Sequence, residues 1–311
     1  MADRESESPL VSVVIPTHYR NDVLVETVRS VLAQSYSPIE TIVVDDSGEG
    51  HAAPVVERFD EVDYVAFDEN RGANAARTAG ARRARGRYVH FLDDDDRMFD
   101  SKVERQVRRF EEVDGTGVVY TGLRKKGDQT DLPDPDVQGD VLEAALTFDM
   151  WPCMTSTMLI DSDVLAAVLP LSDRAAAQDL ELMIQLARRT AFEFVDAPLL
   201  YKRIDMDSLG SSMTAVDCRR QLVIDYADLY AEHPPRIRKT AMAKNYEAEA
   251  ALLLRKRGWS TGAIGSLLRH CYYVPDQRLQ SVVKVLAGCF GKPGWTALDR
   301  VNRLITAVTV L

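Results

Sequence analysis

The 311-residue chain has no long hydrophobic run, and without roughly 18 or more consecutive uncharged apolar residues it is expected to carry no membrane-spanning helix. Cysteine is scarce. Cys153, Cys218, Cys271 and Cys289 are scattered with no C-x-x-C pair, which argues against a disulfide framework or a thiolate zinc site and for a cytoplasmic protein. Basic charge is also short, with 38 Lys and Arg against 48 Asp and Glu, a net charge of -10. A net charge of that sign argues against general attraction to nucleic acid or to an anionic membrane, because both need a basic surface. No G-x-G-x-x-G follows the first apolar run, which excludes the dinucleotide fingerprint of a dehydrogenase. A nucleotidyltransferase would need a Gly-rich basic loop at the same place, and Pro16-Thr-His-Tyr stands there instead. Residues 1–9 are polar and acidic without an apolar centre, so they are expected to form a flexible tail rather than a signal peptide. No internal repeat is present.

What the chain does have is one acidic stretch around which the rest is organised, Arg87-Tyr-Val-His-Phe-Leu-Asp-Asp-Asp-Asp96. An apolar run of strand formers, Tyr88 to Leu92, ends in four carboxylates, the pattern of a buried strand delivering charge to the edge of a sheet. Adjacent carboxylates repel one another. They are tolerated in a solvated loop, beside arginines, or around a divalent cation that takes hard oxygen ligands. The position at the end of a strand favours the cation.

Strand and helix patterns alternate before and after this point. Leu10 to Thr17 is a continuous β-branched strand, and Asn21 or Asp22 is placed to cap a helix carrying Leu24, Val28, Val31 and Leu32 at helical spacing. Ile39 to Asp46 gives a second strand ending in carboxylates, Tyr64 to Phe67 a third, and Asn70-Arg-Gly72 turns into an Ala-rich helix over 73–84. Ser101-Lys-Val-Glu104 has the spacing of a capping box, Gly117 to Thr121 reads as a strand, and 123–139 reads as a polar loop. Thr155 to Ile160, Phe192 to Asp196 and Leu200 to Arg203 read as strands, Gln178 to Arg189 as a helix. Beyond Met213 the pattern is helical. The expected fold is α/β, a Rossmann-type, mostly parallel sheet with helices on both faces over 10–213, followed by a C-terminal helical extension over 214–311.

Three strand ends carry polar clusters: Pro16 to Arg20, Asp45-Asp46, and Asp93 to Asp96. In a parallel sheet these ends lie side by side, where open α/β sheets bind ligands. Carboxylates together with Arg77 suit a nucleoside diphosphate and its Mg²⁺ or Mn²⁺, with Asp46 accepting from the base.

The succession V-S-V-V-I-P-T, I-V-V-D-D, N-R-G-A-N-A-A-R-T-A-G, F-L-D-D-D-D and Q-D-L resembles the family 2 glycosyltransferases of the GT-A fold, over roughly Leu10 to Ser212. The resemblance implies an inverting enzyme that uses a nucleotide-sugar donor, most often a UDP-sugar, bound by the N-terminal half, with the acceptor in the second half. It implies that Pro16, Thr17 and His18 line the base pocket with Arg20 and Gly72 nearby, and that Asp46 bonds the base. It also implies that Arg77 faces the donor, Asp94 the ribose, and that Asp93 and Asp95 meet the donor and its metal. Asp179 matches the family's catalytic base, with Glu181 as the fallback. Three positions depart from the common pattern: His18-Tyr19 for an aromatic-Asn pair, Thr78 for Asn, and Gln178 for Glu.

Several features receive other readings. Arg82, Arg83, Arg85 and Arg87 are expected to form a solvated face paired with carboxylates. His90 is expected to be buried and satisfied, and Trp151 with Met150 and Met154 either shapes an acceptor groove or fills core. The C-terminal helices stand open to three roles: a cap on the catalytic domain, a homodimer contact, or a peripheral surface at the inner face of the cell membrane, near a lipid-linked acceptor. The leading function is a metal-dependent glycosyltransferase acting on a glycan, lipid-linked or protein acceptor. The alternative is a binding or scaffolding protein that kept the donor pocket without turnover.

Overall fold

The computed structural model describes residues 8–203, 212–274 and 278–309, so nearly all of the expected N-terminal tail lies outside the described residues. Those residues divide into two compact units, one of 8–145, 149–174 and 178–203, the other of 146–148, 175–177 and everything described from Ser212 onward.

The first unit is built on nine strands: β1 (Val11–Thr17), β2 (Ile39–Asp45), β3 (Val62–Ala66), β4 (Tyr88–Phe91), β5 (Arg97–Met98), β6 (Thr116–Lys125), β7 (Thr130–Asp131), β8 (Leu159–Asp161) and β9 (Ala191–Lys202). They form one sheet in the order β3-β2-β1-β4-β8-β6-β9-β5, with β7 paired to β6. The half that carries the nucleotide-binding pattern, β3-β2-β1-β4, is entirely parallel. Beyond it the sheet is mixed, since β8 runs antiparallel to both β4 and β6 while β6 and β9 are parallel. Its helices are α1 (Asn21–Leu32), α2 (Ala53–Val56), α3 (Ala73–Arg83), α4 (Lys102–Glu112), α5 (Leu142–Leu146), α6 (Ser162–Ala166) and α7 (Gln178–Ala187).

The β-branched composition of β1 explains its place at the centre. Every one of its residues is buried, as a strand covered on both faces requires. Helix α3 lies close against it because Gly80 has no side chain: a Cβ there would come within 2.2 Å of Val14 Cγ1. Register then fixes the site, with Thr17 opposite Asp45 and Val14 opposite Phe91. The backbone N–H of Leu92 bonds Val14 O at 2.9 Å and that of Asp46 bonds Thr17 O at 2.9 Å, so the three polar strand ends emerge side by side as expected.

Local expectations fail where side chains find distant partners. Ser101 occupies the N-cap of α4 without a side-chain cap bond, because Glu104 accepts from Ser35 Oγ at 2.6 Å instead of closing a capping box. Neither Asn21 nor Asp22 caps α1, whose N-cap is Arg20, and the Asn21 amide donates to His51 O. The expected polar loop over 123–139 is partly strand, since β6 runs to Lys125 and returns through β7. The expected strand from Thr155 begins only at Leu159, after a turn closed by Thr157 Oγ1, which accepts from Met154 N–H and donates toward Pro152 O. The two late strands are one bulged strand, β9.

The second unit is helical as expected: α8 (Met213–Asp225), α9 (Ala227–Ala231), α10 (Pro235–Arg257), α11 (Thr261–Tyr273), α12 (Arg278–Cys289) and α13 (Gly291–Thr309). Its core includes Ala250, Leu254, Ala263 and Leu267, joining α10 to α11. No helix of the described residues is long and apolar enough to cross a membrane.

Candidate active site

The carboxylates after β4 are held one by one. The Arg77 guanidinium, buried at the side of α3, donates to Asp93 Oδ1 at 2.8 Å and to Gln178 Oε1 at 2.9 Å. From the far end of β9, the Lys202 ammonium donates to Asp96 Oδ2 at 2.9 Å and reaches Asp93 Oδ2 at 3.5 Å. Arg20, at the mouth of β1, bonds Asp94 Oδ1 at 3.2 Å and Asp95 Oδ2 at 2.6 Å, and Thr17 Oγ1 donates to Asp94 Oδ2 at 2.8 Å. Backbone is pinned as well: Asp93 N–H donates to Ser156 Oγ at 3.1 Å, and Thr27 Oγ1 lies 2.8 and 2.9 Å from the carbonyls of Asp94 and Asp96. Three cations thus offset four acids in a site where repulsion would otherwise melt the loop.

Their protonation diverges with environment. Burial would raise Asp93, but Lys202 and Arg77 outweigh it and hold the carboxyl at about 2. Burial pushes Asp94 up to about 6, with Thr17 and Arg20 opposing. Asp96 is wholly buried and is also raised, against the pull of Lys202. Oxygens of Asp93, Asp95 and Asp96 lie within 4.8 Å of one another, a set of hard donors of the kind Mg²⁺ or Mn²⁺ takes.

Asp46 and Asp45 at the end of β2 do different work. The Asp46 carboxylate accepts from the backbone N–H of Arg71 at 2.6 Å and of Gly72 at 2.8 Å. That places Gly72 at φ 87°, a backbone region that favours glycine, as the N-cap of α3. Asp45 faces inward and accepts from Ala52 N–H at 2.7 Å, Ser47 N–H at 2.9 Å and the Tyr64 hydroxyl at 2.8 Å. Pro16 is buried inside β1, while His18 is exposed with its ring 4.7 Å from Tyr19, and Tyr19 in turn lies 4.8 Å from His51. The result is a group of three rings at the mouth, of which sequence spacing pointed only to the first two.

Asp179 stands in the first turn of α7, partly buried, with one oxygen accepting from Leu180 N–H at 2.9 Å. Burial raises its pKa, the Leu180 N–H opposes, and the negative charge of Asp93 raises it further. Glu181 is committed elsewhere, to Ser172 Oγ and to Arg174 Nε at 2.9 Å. At two of the positions that depart from the family pattern, Gln178 Oε1 accepts from Arg77, and Thr78 Oγ1 accepts from Leu171 N–H at 3.1 Å.

Asp96 entered the sequence reading only as a member of the acidic cluster, without a role of its own, and Lys202, Thr27 and Ser156 were not singled out as site residues. Three of the four arginines in the run are paired as expected, Arg83, Arg85 and Arg87 with Asp63, Glu40 and Asp161, and Arg82 is exposed. His90 is buried as expected, its Nδ1 2.5 Å from Met158 O, but its Nε2 has no hydrogen-bond partner. Trp151 is about half exposed and donates to Asp131 Oδ2 at 2.7 Å, so it does not fill core, whereas Met150 and Met154 do.

Similarity to known proteins follows the same residues. The pattern of glycosyl transferase family 2 matches residues 12–165. A putative teichuronic acid biosynthesis glycosyltransferase of Bacillus subtilis is 40% identical over 103 residues, 32% of this chain and 41% of the relative. The UDP-Glc:alpha-D-GlcNAc-diphosphoundecaprenol beta-1,3-glucosyltransferase of Escherichia coli is 33% identical over 104 residues, 33% of this chain and 41% of the relative. The chain therefore spans about two fifths of the length of these two relatives. The fold matches that of a mannosyltransferase from Pyrobaculum calidifontis solved with GDP-Man and Mn²⁺, at 18% identity and TM-score 0.60, covering 98% of this chain and 87% of that one. With the motif-bearing strand ends gathered in a GT-A-like sheet, the chain belongs to glycosyl transferase family 2.

Proposed function

We propose that the protein is a metal-dependent, inverting glycosyltransferase that moves a sugar from a nucleoside-diphosphate sugar, with UDP as the favoured nucleotide, to a hydroxyl of a growing glycan. The observation that carries this reading is the convergence of Arg77, Lys202 and Asp93 to Asp96 on the carboxyl ends of the parallel strands, with Asp179 raised in pKa close enough to feel Asp93. Asp93 and Asp95 would hold the divalent cation, because both oxygens of Asp96 are engaged, by Lys202 and by Arg203 N–H. A cation bound there supplies charge stabilisation to the departing diphosphate. Arg20 and Arg77 bind and orient the phosphates, and the His18 ring stacks on the base beside Tyr19.

Asp179 takes the proton of the acceptor hydroxyl as that oxygen forms its bond to the anomeric carbon. The bond from that carbon to the diphosphate oxygen breaks on the opposite face, and the nucleoside diphosphate leaves with the electron pair. A raised carboxyl pKa makes Asp179 a stronger base once ionised. The Escherichia coli relative, named for a UDP-Glc donor and a diphosphoundecaprenol acceptor, supports a nucleotide-sugar donor and a diphosphate-lipid acceptor. Incubation with a panel of nucleotide sugars and Mn²⁺ or Mg²⁺, scoring nucleoside diphosphate release with and without acceptor, tests the reading. Release from one donor, absent with EDTA, is expected; tight UDP binding without turnover on any acceptor would instead establish a binding protein.

A further inference from the structure

Charge in this protein is segregated along the chain. Although the whole carries -10, residues 255–311 contain nine Lys and Arg and only two acids, Asp276 and Asp299. Helix α12 lies within that basic segment, and its two sides are inverted relative to an ordinary packed helix. The fully buried residues are the small ones, Ser281 and Gly288, with Val285 partly buried beside them against the Ala250, Leu254, Ala263 and Leu267 core, and a Cβ on Gly288 would fall 2.4 Å from Leu267 Cδ1 of α11. The large apolar residues Leu279, Val282, Val283, Leu286 and Phe290 point outward, with Leu279 80% and Phe290 76% exposed. Their spacing of three and four residues makes one continuous stripe, which nothing among the described residues covers. Beside its C-terminal end sits Trp259, 54% exposed, held by a bond from its indole N–H to Cys289 O at 3.0 Å. Exposed Arg255, Lys256, Arg257, Arg269 and Lys292 belong to the same segment.

A packed helix turns its large apolar side chains inward. One that keeps only Val285 of its large apolar side chains against the core and turns the others outward, in a basic segment of an acidic protein and with an indole at its end, fits the interface of an anionic bilayer: apolar side chains enter the acyl boundary, indole sits at headgroup level, and cations meet lipid phosphates. A protein partner would not require the basic excess, and a second copy of so acidic a chain would bring its own basic segment against this one. We propose that the outward face of α12, with Trp259, is a peripheral docking surface for an anionic phospholipid bilayer. This inference stands apart from the transfer chemistry, since it needs neither donor nor cation.

The full chain is expected to co-sediment with vesicles rich in phosphatidylglycerol, to stay in solution with pure phosphatidylcholine, and to be released by high salt. Tryptophan emission should shift to the blue on binding. The double variant Leu286→Glu/Phe290→Ser should lose vesicle binding by about tenfold or more, with an unchanged melting temperature and unchanged donor hydrolysis in solution. Charge reversal at Arg269→Glu/Lys292→Glu should weaken binding while leaving the apolar stripe intact. The proposal is overturned if wild type remains in the supernatant with anionic vesicles, if either double variant binds as wild type does, or if sedimentation velocity finds a dimer that Leu286→Glu/Phe290→Ser splits.

Discussion

Asp93 and Asp179 are two carboxyls in one site pushed in opposite directions, and the difference supports the separate roles proposed for them. Asp93 is held at about 2 despite its burial, by Lys202 and Arg77, and is therefore an anion at any working pH. Asp179 is raised by burial and by the Asp93 charge. Removing Asp95 or Asp93 by Ala is expected to abolish cation-dependent donor binding with the fold retained, since both sit in a loop after β4; calorimetry with UDP and Mn²⁺ is the measurement, and unchanged binding in both variants would sink the assignment. Asp179→Asn keeps shape but cannot take a proton, so donor affinity should hold while turnover falls by roughly 10²- to 10⁴-fold. The sign of its pH dependence follows from the shift: a base must be ionised, and a raised pKa moves the acid limb of kcat above the range of an exposed aspartate. An Asp179→Asn enzyme that turns over at the wild-type rate would remove Asp179 from the mechanism.

At the scale of elements, β1 and α3 show why part of this site was legible and part was not. The β-branched run of β1, the acids that end β2 and β4, and the Gly72 turn into α3 are local patterns, and each lands where its pattern placed it. The partners of those acids are not local. Lys202 lies 106 residues from Asp96, and it arrives only because β9 pairs with β5 in the register that sets Tyr201 against Arg97. Nothing in a single sequence encodes that register. The capping box failed for a related reason: Glu104 had a second suitor in Ser35, 69 residues away, and spacing alone cannot weigh it. Packing of α3 gives an element-scale test. At Gly80 a methyl group would strike Val14 Cγ1, a stiff branched side chain buried in β1, so Gly80→Ala should destabilise by about 1–3 kcal/mol. Urea denaturation reads this as a lower midpoint at unchanged slope, and a neutral result would mean that α3 can slide on the sheet.

For the molecule as a whole, acid stability should be set by carboxylates that the fold uses as acceptors. Asp45 is the clearest. Burial opposes its ionisation, yet hydrogen bonds from Ala52, Tyr64 and Ser47 outweigh that and lower its pKa, tying the end of β2 to α2 and β3 at once. Glu40 is lowered in the same manner, burial being overcome by Ser12 and Arg85, which brings β1 and the chain after α3 onto β2. A folded pKa below the unfolded one means that the folded state binds fewer protons at the margin, so the stabilisation is complete above the unfolded value near ~4 and is lost as pH falls through the folded value. Melting temperature should therefore be flat in this contribution at neutral pH and drop below about pH 4. Asp45→Asn separates this from general charge repulsion, because the amide keeps one acceptor but no charge. Its cost, about 1–3 kcal/mol at neutral pH for buried donors left poorly matched, should shrink as pH falls and the wild-type carboxyl itself becomes neutral. If the gap between Asp45→Asn and wild type stayed constant from pH 7 down to acid unfolding, the ionised form of Asp45 would not be what holds β2, α2 and β3 together.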